Sequence, residues 1–458
     1  MKTYQDLLLV GESEQGRMEF VQTAINDYKS STEYCNALDA RLYMEGKNAT
    51  ISKYQKLLYT LSGKAIPDNY TANHKCKSGF FKLFTTQENS YLLKNGVVFD
   101  KEETYKRLGD NFNNDLYSFC KDAMATGVSY GFFNLDRVDF FKMTEFVPLY
   151  DEENGSLRAG IRFWQVDSTK PLRCTLYEES GYTDYFRAKD KPMEVLNEKR
   201  KYVQKVVTSE IEGTRIYDGE NYPSFPIVPL FVNLNHQSEL AGHRESIDCY
   251  DLIKSGFAND LDDASAIYWT LKNTGGMDDI DMAEFIERMK TLKVAMLDDG
   301  VEADSHTIEV PYQSREVYLT RLETDLYRDF MALDVRLIAS GNITATQIDA
   351  SYEPLDEKAT EMAVCVEKFI KGLFEVAGID DNVTFKPHRI VNQREITEMV
   401  LMCANYLDEQ TVLEKLPFLT DEEVDEILKR KIEEDSARFE TEEDNEPENN
   451  PEEEGEEE

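Results

Sequence analysis

The segment SIDCYDLIKSGFANDLDDASAIYWTLKN, Ser246 to Asn273, admits few local structures. Tyr250, Ile253, Phe257, Leu261, Ala264, Tyr268 and Leu271 recur at steps of three and four, which puts them on one stripe of a continuous helix. Asp248, Asp251, Ser255, Asn259 and Asp262 repeat at the same spacing on another side, with Lys254 as almost the only cation nearby. Such a helix is about 40 Å long at about 1.5 Å per residue. NYPSFPIVPLFVN, Asn221 to Asn233, leads into it as an extended connector, because its three prolines forbid helix. Asn273-Thr274-Gly275-Gly276 stops it.

Either side of this helix the patterns change. Gln15 to Met44 reads as helix, with Phe20, Ala24, Tyr28, Leu38 and Leu42 near one face and Gly46 past the end. Ile51 to Phe99 mixes short helices with GVVFD (Gly96 to Asp100), read as part of a hairpin with an exposed Asp, and SGKAIPDN at Ser62 is a turn. Asp115 to Thr126 is helical and ends at Gly127. VSYGFFNLD, LRAGIRFWQVD, LRCTLYEES and YTDYFRAKD then alternate strand-like runs with turn residues. Beyond the long helix comes an acidic stretch with one short helix and strands, including HTIEVPYQ, then a helix from Ser314 to Met331. LIASGNITATQIDASYEP interrupts, and a long helix starts near Pro354 and ends near Val376, closed by Gly378. Two helices, Glu395 to Ala404 and Asp421 to Asp435, come last. The sum is an α+β chain, predominantly α, of 458 residues, more than one core usually supports.

Charge narrows the functions. Asp and Glu number 89 against 51 Lys and Arg, a formal net charge of −38. The twelve acids from Glu440 to Glu458 account for part of this, and −38 less −12 leaves −26 on the rest. A general surface of that sign does not hold nucleic acid by counterion release. The acidic tail reads as disordered and solvated. No apolar run nears the roughly 18 to 20 residues that span a bilayer, and the N-terminus lacks a signal-peptide pattern. Seven scattered Cys without a CxxC pair fit reduced thiols, and the sequons at Asn48, Asn69, Asn342 and Asn382 carry no weight without secretion.

Catalytic patterns are missing. Asp260 to Asp263 lacks the glycine and the later glutamate of an EF-hand loop, and DDIDMAE at Asp278 to Glu284 suits a helix start better than a metal site. His74, His236, His243, His306 and His388 show no ligand spacing. GxSxG and GxxxxGK[ST] are absent, so neither a nucleophile elbow nor a triphosphate cradle is expected. The reading is no catalytic residue, no metal and no cofactor, hence a structural or assembly protein. Two rivals stay open: a metal-dependent transferase using the Asp-rich clusters, and an acidic scaffold or chaperone.

The order of elements carries a resemblance. FPIVPL leads into ESIDCYDLIKSGFANDLDDASAIYWTLK, an acidic α/β segment follows, then a helix, a Gly/Asn/Thr interruption and a second long helix. This resembles the portal protein family of tailed bacteriophages, of the type found in phages of Gram-positive hosts. RLYMEGKNATI and LEKLPFLTDEEVDEIL are similar to that family's turn before its β-rich region and to its closing acidic helices.

The resemblance implies a homo-oligomeric ring, usually of twelve subunits, at one capsid vertex, through which viral double-stranded DNA passes during packaging and ejection. It implies a wing over residues 1–223, a connector and first stem helix over 224–273, a clip over 274–313 and a second stem helix over 314–331. A tunnel loop over 332–353, a long wing helix over 354–380 and crown helices over 381–439 follow, with the acidic tail at 440–458. The stem lumen would carry Asp248, Asp251, Lys254, Asn259 and Asp262; the tunnel loop Arg336, Asn342, Thr344, Thr346, Gln347 and Asp349. Asp278, Asp279, Asp281, Glu284, Arg288, Asp298 and Asp299 would dock partners at the clip. Those partners would be a terminase motor, head-completion or neck proteins, and the scaffolding and major capsid proteins, with no membrane. The place of action would be the virion, after assembly in the bacterial cytoplasm. Acids along the lumen would repel phosphates and keep DNA sliding; otherwise that face only solubilises the helix.

Overall fold

A computed structural model describes residues 2–68, 72–189, 191–209, 213–264, 268–272, 283, 287, 302–306, 312–339, 344–389, 393–420 and 423–433. The chain divides into two compact units: residues 1–334 with 353–388, and residues 335–352 with 389–458. Its elements are those of an α+β protein.

In the first unit, five antiparallel strands form a meander: Phe146–Tyr150, Leu157–Trp164, Leu172–Glu178, Gly181–Arg187 and Glu194–Arg200, each paired with the next. Alternation along the strands turns Val147, Leu149, Ile161, Phe163, Cys174 and Leu176 to one face, where Phe20, Val21, Ala24, Ile25 and Tyr28 of the Glu14–Lys29 helix cover them. The expected single helix from Gln15 to Met44 is two. Ser30 ends the first, and Ser31 caps the second, Thr32–Met44, by accepting from the Tyr34 amide. Leu38, expected inside, is exposed.

A second sheet has three strands, with Ser129–Asn134 between Arg137–Lys142 and Ile227–Leu230. The proline-rich connector thus contributes a strand. Its prolines are tolerated because the strand lies at an edge, needing hydrogen bonds on one side only. Phe133, Val138 and Leu230 pack with Leu116, Cys120 and Ala123 of the Phe112–Thr126 helix and with Met362, Val366, Phe369 and Leu373 of the long Ala345–Ala377 helix. Gly378, at φ +63, follows that helix. The helix starts nine residues before Pro354, so Pro354 lies inside it and the expected tunnel loop is shorter than 332–353. GVVFD forms no local hairpin: Val97–Phe99 pairs with Val383–Phe385, which ties 383–385 to the first unit instead of to the last helices.

The second unit contains the helices Val335–Ala339, Gln393–Cys403, Glu409–Lys415 and 423–433. Thr420 and Glu423 cap the last reciprocally, side chain to amide in both directions. The acidic tail after Glu440 lies outside the described residues.

Candidate functional site: the helix hairpin

The helix that dominates the sequence runs Arg244–Ala264, and Tyr268–Lys272 is a strand. The expected helix therefore stops short, and Tyr268 and Leu271 leave its stripe. The strand pairs antiparallel with Glu302–His306, in register from Tyr268 opposite His306 to Lys272 opposite Glu302. The chain returns as the Tyr312–Asp329 helix, which packs on the first. Helix, ribbon, insert, ribbon and helix form one closed excursion.

Its root is aromatic. Ile247, Leu326 and Phe330 are buried with Phe81 and Phe84 of the Phe80–Leu93 helix. The rings of Phe84 and Phe330 lie 4.7 Å apart and Tyr250 meets Phe80 edge-on at 4.9 Å. Arg315 pairs with Asp260 across the two helices. Beneath this root lies a buried charge cluster. Lys358 Nζ is 2.7 Å from buried Glu88 and 2.9 Å from part-buried Glu239. Burial, reinforced by Glu239, pushes the Glu88 carboxyl up to about 7 despite the ammonium. Buried Glu88 therefore holds its proton more readily than a solvated carboxyl does.

The polar side of the Arg244–Ala264 helix answers the sequence question differently from expectation. Asp251, Ser255 and Asn259 are 0%, 5% and 4% exposed. Each accepts a hydrogen bond from a backbone amide of the preceding chain: Ser78 N to Asp251 at 2.8 Å, Cys76 N to Ser255 at 2.9 Å and His74 N to Asn259 at 2.6 Å. The donors are every second residue and the acceptors every fourth. Two extended residues advance about 6.6 Å and four helical residues about 6.0 Å, so the two repeats keep step. The helix behaves as a sheet edge, with side-chain oxygens in place of carbonyls. Asn48 completes the array, its amide donating to Asp248 at 2.8 Å and to Asp251 at 2.9 Å, while the Tyr43 hydroxyl also donates to Asp248. Burial raises the Asp251 carboxyl, and burial with the Asp248 contact raises the Tyr43 phenol to about 12.

Asp248, Asp251 and Asn259, expected in the lumen, direct their polar atoms to Tyr43, Asn48, His74 and Ser78 of the same chain. Lys254 and Asp262 remain exposed, Asp262 lying 3.4 Å from the His74 ring. Thr344, Thr346, Gln347, Asp349 and Arg336 are exposed in the second unit, with Arg336 on the Val335–Ala339 helix and Thr346, Gln347 and Asp349 on the long helix. Asn342, Asp278, Asp279, Asp281, Glu284, Arg288, Asp298 and Asp299 lie outside the described residues. Sequence reasoning missed Asn48 and the amides of 74–78. The available signal was residue type, since a solvated helix face favours long Glu and Lys, whereas Asp, Ser and Asn are weaker helix formers that bind backbone. Among the described residues no group of three His, Cys, Asp or Glu is placed to hold a metal ion, and no helix is long and apolar enough to cross a membrane.

What stands out among the described residues is a pair of packed helices joined through a two-stranded ribbon. The family profile described as phage portal protein, SPP1 Gp6-like, matches residues 28–437, and the chain belongs to that family. It is 24% identical over 397 residues to the portal protein of Clostridium phage phiCD119, covering 79% of this chain and 85% of that one. To the portal protein of Bacillus phage SPP1 it is 22% identical over 422 residues, covering 81% and 79%. A solved structure of the neck of an empty gene transfer agent particle superposes with a TM-score of 0.41 at 11% identity, covering 72% of this chain and 86% of that one. The transferase and chaperone readings find no support in these relatives.

Proposed function

We propose that copies of this chain close into a ring, twelve by the family resemblance, at one capsid vertex, with double-stranded DNA threading its centre during packaging and ejection. The observation that carries this reading is the helix pair Arg244–Ala264 and Tyr312–Asp329 closed by a two-stranded ribbon, in a chain that matches the portal family over 28–437. In this reading the helix pair is the stem and the insert beyond the ribbon is the clip, which docks the terminase motor and later the neck proteins. The sheets and N-terminal helices are the wing, where scaffolding and major capsid proteins bind, and the C-terminal helices are the crown. Lys254 and Asp262 are kept as lumen residues, and the segment between the Val335–Ala339 and Ala345–Ala377 helices as the tunnel loop. A net charge of −38 keeps such a channel from gripping its cargo. Catalysis is not this chain's task here; ATP hydrolysis belongs to the terminase.

Light scattering on the purified full-length chain, with negative-stain images of the same peak, tests the reading. Rings of about a dozen subunits with a central hole are expected. A monomer that also stays monomeric with its scaffolding protein overturns it.

A further inference from the structure

Residues 57–67 form an antiparallel hairpin, Leu57–Tyr59 with Ala65–Pro67, and all six of its strand residues are exposed among the described residues. Tyr59 is 72% exposed, Leu57 48% and Leu58 40%, and Leu61 at the turn is wholly open. A bare two-stranded ribbon is marginal in water, and one edged with leucines and tyrosine needs a surface to cover it. Its base is pinned, by the Asp68 amide to the Lys56 carbonyl and by Lys56 Nζ to the Ala72 carbonyl, both 2.9 Å. Just beyond, residues 74–78 run along the polar side of the Arg244–Ala264 helix. The arm is therefore rooted on the flank of the helix pair.

Charge identifies what covers it. From Ser52 to Lys77 the chain holds Lys53, Lys56, Lys64, Lys75 and Lys77 against the single acid Asp68, in a protein of net charge −38. Among the described residues no carboxylate pairs with Lys53, Lys64 or Lys77. The helix pair has the complementary make-up: Leu252, Leu261, Val317 and Tyr318 are exposed apolar side chains, with the exposed acid Glu316 beside Val317. We propose that the 57–67 hairpin is an arm that seats on the helix pair of a neighbouring copy of this chain. The contact is heterologous, arm to helix pair, and such a contact closes a ring when its rotation divides a full turn. The proposal rests on the ring reading above and adds the element that joins adjacent subunits. Leucine and tyrosine at the tip fit an apolar protein surface better than a phosphate backbone.

Benzoylphenylalanine placed at Tyr59 in the full-length chain, irradiated in a mixture of isotope-labelled and unlabelled protein with duplex DNA present, reads the partner directly. Expected is a cross-link between copies that maps to 244–264 or 312–329. In parallel, Leu58→Asp with Leu61→Asp should raise the concentration for half-assembly by about tenfold or more per leucine, and Lys64→Glu by less. Both leucines are exposed in the single chain, so its fold is not at stake. Rings without an inter-copy cross-link, assembling equally well in the leucine variant, overturn the arm and leave the ring reading standing. Cross-links between copies without rings uphold the arm and overturn the ring. A cross-link to DNA alone, or neither rings nor cross-links, overturns the proposal.

Discussion

Replacing Asp251 by Ala tests the amide ladder at its most buried rung. The carboxylate accepts from the Ser78 amide and from Asn48, and the substitution leaves the part-buried Ser78 amide without this acceptor and Asn48 with Asp248 alone. Hydrogen bonds to a charged group are worth about 1.5–3 kcal/mol each. Against this stands the relief of burying a carboxylate, which its raised pKa registers. The net loss is about 2–4 kcal/mol, localised to the 72–79 segment. Amide hydrogen exchange reads this residue by residue. Ser78 should exchange roughly 30- to 1000-fold faster at a tenfold per 1.4 kcal/mol, Cys76 and His74 less so, and the amides of the five-stranded sheet unchanged. Asn259→Ala should invert the order, with His74 released most. Unchanged protection at Ser78 in the Asp251 variant would show that the segment is held by something other than the helix side chains.

Other perturbations give equally direct readouts. Glu88 holds its proton more tightly folded than unfolded, because burial raises it to about 7. Its contribution to stability is present below the usual carboxylate range and lost as pH rises through about 7, so Glu88→Gln should flatten that part of a stability-versus-pH curve. Lys358→Met leaves buried Glu88 and part-buried Glu239 without their shared cation and should cost about 3–5 kcal/mol by urea unfolding, with the loss shrinking at low pH. A Cβ on Gly160 would lie 2.0 Å from the ring of fully buried Phe146. Gly160→Ala should therefore destabilise by about 1–3 kcal/mol in the same assay. Alanine at Asn342, Thr344, Thr346 and Gln347 should reduce packaged DNA, measured per particle, without lowering the yield of rings; unchanged DNA content would remove the tunnel-loop assignment.

Helical periodicity made the helix pair legible, because Tyr250, Ile253 and Phe257 repeat on one stripe of the first helix and Leu322 and Leu326 on one stripe of the second. It overran the end of the first helix because Tyr268 and Leu271 continue the spacing by chance, and only pairing with Glu302–His306 makes that stretch a strand. Long-range partners of this kind are invisible to local pattern. The same limit hid the Val97–Phe99 and Val383–Phe385 pair, nearly three hundred residues apart, and the Glu88–Lys358–Glu239 cluster, whose members sit on three distant segments. The acidic face was seen as charge but not as a set of acceptors, since its donors are backbone amides that no side-chain pattern announces. Pro354 misled in another way. It is favoured in a first helical turn, yet the helix extends nine residues before it.

The ribbon between the two helices also works as a socket. Lys272 and Glu302 stand opposite each other across an antiparallel pair, about 5 Å apart. Whatever is inserted between them has its two ends fixed at neighbouring points. The insert can be exchanged as a cassette for another whose termini meet at that spacing. A chain built this way can take a different insert without moving the two points from which its helices start.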